Sequence, residues 1–185
     1  ESVSIFSWFY KKKNHSPTVN ISKEIQSLTE QNIVLTSADI DPQGAALLNN
    51  YLKALELKKE QKLSEAEALL LLSTKPPSIY KGHYRELFKI WRQYNREDLK
   101  TKNYQAVIDR VVEMYKLDNE MVEEMLSYWS IQQKRKLPLN YFDKSRNLLI
   151  SDAKALKVSA ERFQQEKYIF LADELISNIK KNKFN

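Results

Sequence analysis

Glycine occurs only twice in the 185 residues, at Gly44 and Gly82, alongside five prolines. Phosphate-binding loops and turn-dense β-sandwiches both rely on glycine for backbone conformations that other residues avoid, so a chain this poor in glycine is biased towards helices. Lys, Glu, Leu and Ala crowd its middle, and 42% of the residues are hydrophobic. At this length that suffices to bury one core. The sequence therefore predicts an all-α fold of about seven or eight helices, stacked as antiparallel hairpins or an irregular bundle. Residues 1–20 read as an N-terminal arm and linker, and residues 21–185 as a single helical domain.

Start and stop signals place the elements. Ser22 to Gln31 suits a short helix, and Asn32 to Leu35 is the one run that looks extended. Asp41 as N-cap with Pro42 in the first helical position opens a helix to about Glu60, since the missing proline N–H costs nothing there. Ser64-Glu65-Ala66-Glu67 has the form of a capping box and starts a helix through Leu72. Pro76 and Pro77 bar its continuation. Helices are then expected over Ile79–Lys100, over Tyr104–Leu117, and from a cap at Asp118 or Asn119 to Arg135. Two more follow over Phe142–Leu156 and Ser159–Lys181.

The stretch WRQYNREDLKTKNYQAVIDRVVEMYKLDN, Trp91 to Asn119, reads as two amphipathic helices meeting at a short polar turn. Tetratricopeptide units are helix-turn-helix repeats of about 34 residues with the pattern W-x2-L-G-x2-Y, A-x3-F, P. Trp91 takes the tryptophan place, while Tyr94, Asn95 and Asp98 stand where leucine, glycine and tyrosine are expected. Tyr104 begins the second helix, Val107 and Val111 occupy the alanine and phenylalanine places, and Asn119 replaces the proline. An earlier stretch, LNNYLKALELKKEQKLSEAEALLLLSTKPPS, sets Ala54, Leu57, Ala66 and Leu70 in matching places. These segments resemble divergent tetratricopeptide-like hairpins, spaced more widely than the family period. The resemblance implies a non-catalytic scaffold binding a protein or acidic peptide partner along a groove lined by the first helix of each hairpin.

On the helix bearing Trp91, a rotation of about 100° per residue gathers Arg85, Lys89, Arg92, Arg96 and Lys100 into one basic stripe. Glu86 and Asp98 fall on other faces of the wheel, and Leu87, Phe88, Trp91 and Tyr94 lie largely opposite, where a core belongs. Arginine forks bind carboxylates with two hydrogen bonds, so the stripe is the expected partner-binding site.

Nucleic acid is the alternative partner, consistent with a formal net charge of +6. Residues 149–163, LISDAKALKVSAERF, resemble a degenerate bacterial helix-turn-helix, with Ala153 in the first helix, Val158 and Ser159 in the turn and Phe163 in the second helix. Lys157 sits where that motif prefers glycine. Trp129, Lys134, Arg135, Lys136 and Tyr141 form a second basic and aromatic patch suited to single strands. The segment Ile5 to Lys13 combines aromatics with three lysines, yet no run reaches the ~20 apolar residues of a membrane span. A cytoplasmic location is expected, with peripheral membrane attachment through this segment as the alternative and a membrane-surface partner not expected. Without cysteine, and with only His15 and His83 as imidazoles, the chain offers no thiol nucleophile or metal-ligand cluster. No enzyme activity, metal or cofactor is expected.

Overall fold

A computed structural model of the protein describes residues 42–138 and 140–181. The arm, the linker, the segment Ser22 to Leu35, the Asp41 cap and the boundary after residue 20 lie outside these residues. The chain divides into two compact units, Glu1–Lys53 and Ala54–Asn185. In the first, only the opening of helix α1 is described, with Ala45 buried. The second unit carries everything discussed below.

Among the described residues there are six α-helices and one π-helical segment, and no strand. These are α1 (Pro42–Lys59), α2 (Leu63–Leu72), α3 (Lys81–Lys100), α4 (Tyr104–Leu126) with its π-helical continuation (Ser127–Gln132), α5 (Asp143–Arg162) and α6 (Glu166–Lys181). α1 begins at Pro42, as its fixed φ favours. α2 packs on α3, α3 and α4 form one hairpin, α5 and α6 form the closest-packed one, and α4 lies against both α5 and α6. The core between them holds Leu70, Leu87, Ile90, Val107, Val111, Met114, Leu117, Leu149 and Leu156. Trp91 is buried, stacked on Phe88 with ring centroids 6.2 Å apart. Ala54, Leu57 and Ala66, set at packing positions by their spacing, are buried as well.

The scarcity of glycine leaves its mark on the turns. α1, α3 and α5 each end with a non-glycine residue in the left-handed region: Gln61 (φ 60°), Lys102 (φ 59°) and Gln164 (φ 55°). In each case the next N–H reaches back to a carbonyl five residues earlier, Lys62 to Leu57 at 2.9 Å, Asn103 to Asp98 at 2.8 Å and Gln165 to Ala160 at 2.8 Å. This is the Schellman closure normally given to glycine. Here the hydrogen bond and the packing of the following helix hold a Cβ-bearing residue in it.

Several expected boundaries are corrected. Ser64 caps nothing: the closure of α1 carries the chain straight into α2, which starts at Leu63 with Lys62 in the cap position and no side-chain capping bond. Glu67, expected to reach back to its own helix start, instead accepts the Trp91 indole N–H at 2.7 Å. Asp118 and Asn119 begin no helix, because α4 runs through them. Such residues break a helix when their side chains fold back on the local backbone, and both are engaged by α5. Asp118 accepts the Ser145 hydroxyl and lies 3.1 Å from Arg146 Nε, while Asn119 Oδ1 accepts Arg146 at 2.5 Å. The helix after it ends at Gln132 rather than Arg135. The break expected at Lys157–Ser159 lies instead at Phe163–Gln165, because Lys157 bridges Asp173 at 2.7 Å and Glu161 at 3.7 Å from within a continuous helix.

Relief of one left-handed Cβ conformation should register directly. Gln164→Gly should raise stability by up to about 1 kcal/mol, the steric cost of about 1–2 kcal/mol being partly offset by the greater freedom of an unfolded glycine. Urea denaturation checks this, with a shift in midpoint to higher concentration expected at constant slope.

Candidate functional site

The predicted basic stripe lies along α3, where the folded chain supplies its cations with acids. Glu86, only 5% exposed, sits among them. Its Oε2 accepts Lys58 Nζ from the end of α1 at 2.5 Å, and its Oε1 accepts Lys89 Nζ at 2.8 Å and Arg85 Nε at 3.4 Å. Burial alone would raise the Glu86 pKa, but the hydrogen bonds and charges of Lys58 and Lys89 outweigh it and hold the carboxyl at about 2. A wheel puts Glu86 on a different face from Lys89, yet side chains three residues apart meet along a helix. Lys58 comes from another element, which no wheel contains.

Arg92 turns away from the stripe altogether. Its Nε lies 2.9 Å from both carboxylate oxygens of Asp152 on α5, with Nη2 2.8 Å from Oδ2, and its side chain is only 21% exposed. Burial pushes the Asp152 carboxyl above its ordinary range, and the Arg92 hydrogen bond and charge oppose that rise. Lys100 pairs with Glu97 at 2.8 Å in solvent. Arg96 is exposed and makes no ion pair among the described residues. Four of the five predicted residues are thus paired within the fold, and they do not form one continuous uncompensated surface. Asp98 lies off the stripe as read from the sequence, accepting Arg110 at 3.0 Å.

The other basic patch is arranged differently. The π-helical segment ends at Gln132, and the chain leaves it through Lys134 in the left-handed region, with Arg135 N–H closing on the Trp129 carbonyl at 2.8 Å. Lys134, Arg135 and Lys136 are all exposed and pair with no carboxylate among the described residues. Ile131, one turn earlier, is 72% exposed, the highest value for a large apolar side chain among the described residues. Trp129 packs edge-on against Tyr128, centroids 5.2 Å apart. Its indole nitrogen and the Gln133 amide nitrogen are buried donors with no acceptor among the described residues. Tyr141 belongs to a separate contact, with Lys81 Nζ 3.6 Å from its ring centroid. This junction therefore offers cations, donors and one apolar side chain, and no acid of its own. π-helical turns recur at functional sites.

The helix-turn-helix reading of residues 149–163 does not survive: Lys157, Val158 and Ser159 lie inside α5, so there is no turn and no second helix to enter a groove. His83 is buried, and no group of three or more His, Cys, Asp or Glu residues is placed to hold a metal among the described residues. No described helix is long and apolar enough to cross a membrane. Lys180 and Lys181 fall in the last turn of α6, where they complement its dipole.

No family model, no curated protein and no solved structure matches the chain. The signal for Ile131 was present in the sequence as an apolar residue among polar ones, but its exposure depends on how the helix ends. The acids that neutralise the stripe are Glu86 and Glu97 of α3 itself and Asp152 of α5, the last at a separation no local pattern reveals.

Acid titration should expose the Glu86 cluster. A carboxyl held at about 2 rather than 4.5 contributes stability that is present above 4.5 and lost as pH falls from 4.5 towards 2. Glu86→Gln should lower stability near neutrality and flatten that acid limb, as read by denaturant unfolding at stepped pH.

Proposed function

We propose that the protein is a non-catalytic helical scaffold that binds an acidic segment of a partner protein at the junction between α4 and α5. One observation carries this reading: Lys134, Arg135 and Lys136 stand exposed with no carboxylate paired to them among the described residues, whereas Arg85, Lys89, Arg92 and Lys100 on α3 are each matched by an acid of the chain itself. The adjoining Ile131 favours a peptide over a bare polyanion, because an exposed aliphatic side chain gains from an apolar residue between the ligand's acids. The buried donors of Trp129 and Gln133 suit a carboxylate or a peptide carbonyl in the same way. The long α4 runs directly into the junction and gives it a rigid mount, and the resemblance of the α3–α4 sequence to a tetratricopeptide hairpin suits a scaffold. A cysteine-free chain of this composition fits a cytoplasmic setting.

The test uses a fluorescein-labelled peptide alternating glutamate with leucine, followed by anisotropy. Charge reversal of Lys134, Arg135 and Lys136 together to Glu should weaken binding at least tenfold, about 1.4 kcal/mol, with melting unchanged because exposed charges add little to stability. Ile131→Ser should weaken it several-fold. Arg96→Glu should leave it nearly unaltered. Undiminished binding by the triple variant refutes the assignment.

A further inference from the structure

A second group of unanswered cations lies at the opposite end of α4, and the tertiary fold alone assembles it. Lys102 comes from the turn between α3 and α4, Arg162 from the last residue of α5, and Lys167 from the first turn of α6. Around them stands Phe163, 39% exposed. Lys102 Nζ lies 3.9 Å from its ring centroid and Arg162 Cζ 5.7 Å. Lys167 Nζ lies 5.2 Å from the ring of Tyr168 and 3.4 Å from Gln105 Oε1. Tyr168 in turn packs on Tyr104 at 5.4 Å.

None of the three cations pairs with a carboxylate among the described residues; of the acids nearby in sequence, Glu166 in the first turn of α6 is exposed and makes no ion pair there, and four others are committed elsewhere. Glu97 holds Lys100, Asp98 holds Arg110, and both Glu161 and Asp173 hold Lys157. Helix C-termini attract cations, which accounts for Lys102 and Arg162. The same electrostatics oppose Lys167, which sits at a helix N-terminus. Like charges drawn together from three segments repel unless an anion joins them.

We propose that this end of the bundle binds single-stranded nucleic acid, Lys102, Arg162 and Lys167 contacting successive phosphates and Phe163 packing against a base. The cations are borne on surface side chains spread around aromatic rings rather than converging as a buried fork, an arrangement that follows a flexible phosphate chain better than it cages one phosphate. The ring supplies a contact that every base can meet and that a lone phosphate group would leave unused. The two helices that start here, α4 and α6, are packed against their neighbours, so neither projects to enter a duplex groove. The site is independent of the acidic-peptide junction, from which it is separated by the length of α4 and its π-helical continuation, about 40 Å at 1.5 Å per residue.

Anisotropy with a labelled twelve-residue oligothymidine tests this, with the matching duplex and a singly phosphorylated peptide as comparison probes. The full chain should bind the single strand more tightly than either comparison probe, with log affinity falling linearly as log salt rises. Lys102→Glu with Arg162→Glu should weaken it at least tenfold, and the salt slope should become shallower by about 0.7 for each phosphate no longer neutralised. Phe163→Ala should weaken it about five-fold or more, and Phe163→Trp should restore it, which a purely structural role would not predict. Reversal of Lys134, Arg135 and Lys136 should leave oligothymidine binding nearly intact while removing peptide binding, so the two sites stand or fall separately. Failure of the wild type to bind the oligothymidine, indifference to the Lys102 and Arg162 reversals when circular dichroism shows them folded, or tighter binding of the phosphopeptide would each overturn the proposal.

Discussion

Carboxylates buried against cations of other helices tie this unit together. Asp152 of α5 takes Arg92 of α3, Glu86 of α3 takes Lys58 of α1, and Asp118 in the middle of α4 takes Ser145 and Arg146 of α5. Asp118 is wholly buried, and burial raises its pKa, with Ser145 and the charges of Arg146, Lys81 and Arg92 working against that rise. Buried pairs gain little over an apolar replacement, yet loss of one partner strands a charge and is expensive. They therefore act as positional constraints: α3, α4 and α5 meet in the arrangement that satisfies all of them, and the hydrophobic core fills the space between.

That constraint redistributes the electrostatics of a chain with a net charge of +6. Arg92 in the middle of α3 is consumed in holding helices together, while Arg85, Lys89 and Lys100 pair with acids of α3 itself. Among the described residues, those without an ion pair include cations inside helices, such as Arg96, and two groups where the chain turns, at the junction after α4 and at the end formed by Lys102, Arg162 and Lys167. A surface cation without a partner contributes almost nothing to stability, so its placement is free to serve recognition. Both groups adjoin exposed apolar or aromatic side chains, Ile131 at one end and Phe163 at the other. The long α4 keeps the two apart.

Much of the architecture was legible because it rests on local chemistry. Pro42 marked a helix start, Pro76 and Pro77 kept α2 from running on, and the polar run around Thr101–Asn103 marked the hairpin turn. Trp91 was readable as core from its apolar neighbours at helical spacing. What misled were polar residues whose role is set from a distance. Ser64 and Glu67 have the form of a capping box, but Glu67 is taken by Trp91. Asp118 looks like a cap until Ser145 and Arg146 occupy it. The stripe of five cations was visible as a pattern, while the pairing of four of them with Glu86, Glu97 and Asp152 was not. Conversely, Lys102, Arg162 and Lys167 are inconspicuous in sequence and become a group only when two hairpin turns fall at one end.

The Arg92–Asp152 pair offers the most direct test of this division between structural and available cations. A double-mutant cycle with Arg92→Ala, Asp152→Ala and the double variant, read by urea denaturation, isolates their coupling from each residue's other contacts. If Arg92 is committed to holding α3 against α5, the coupling should be about 1–3 kcal/mol, beyond the few tenths expected of independent sites. Additive single effects would mean that Arg92 is free of Asp152 in solution, returning it to the basic stripe and contradicting the account.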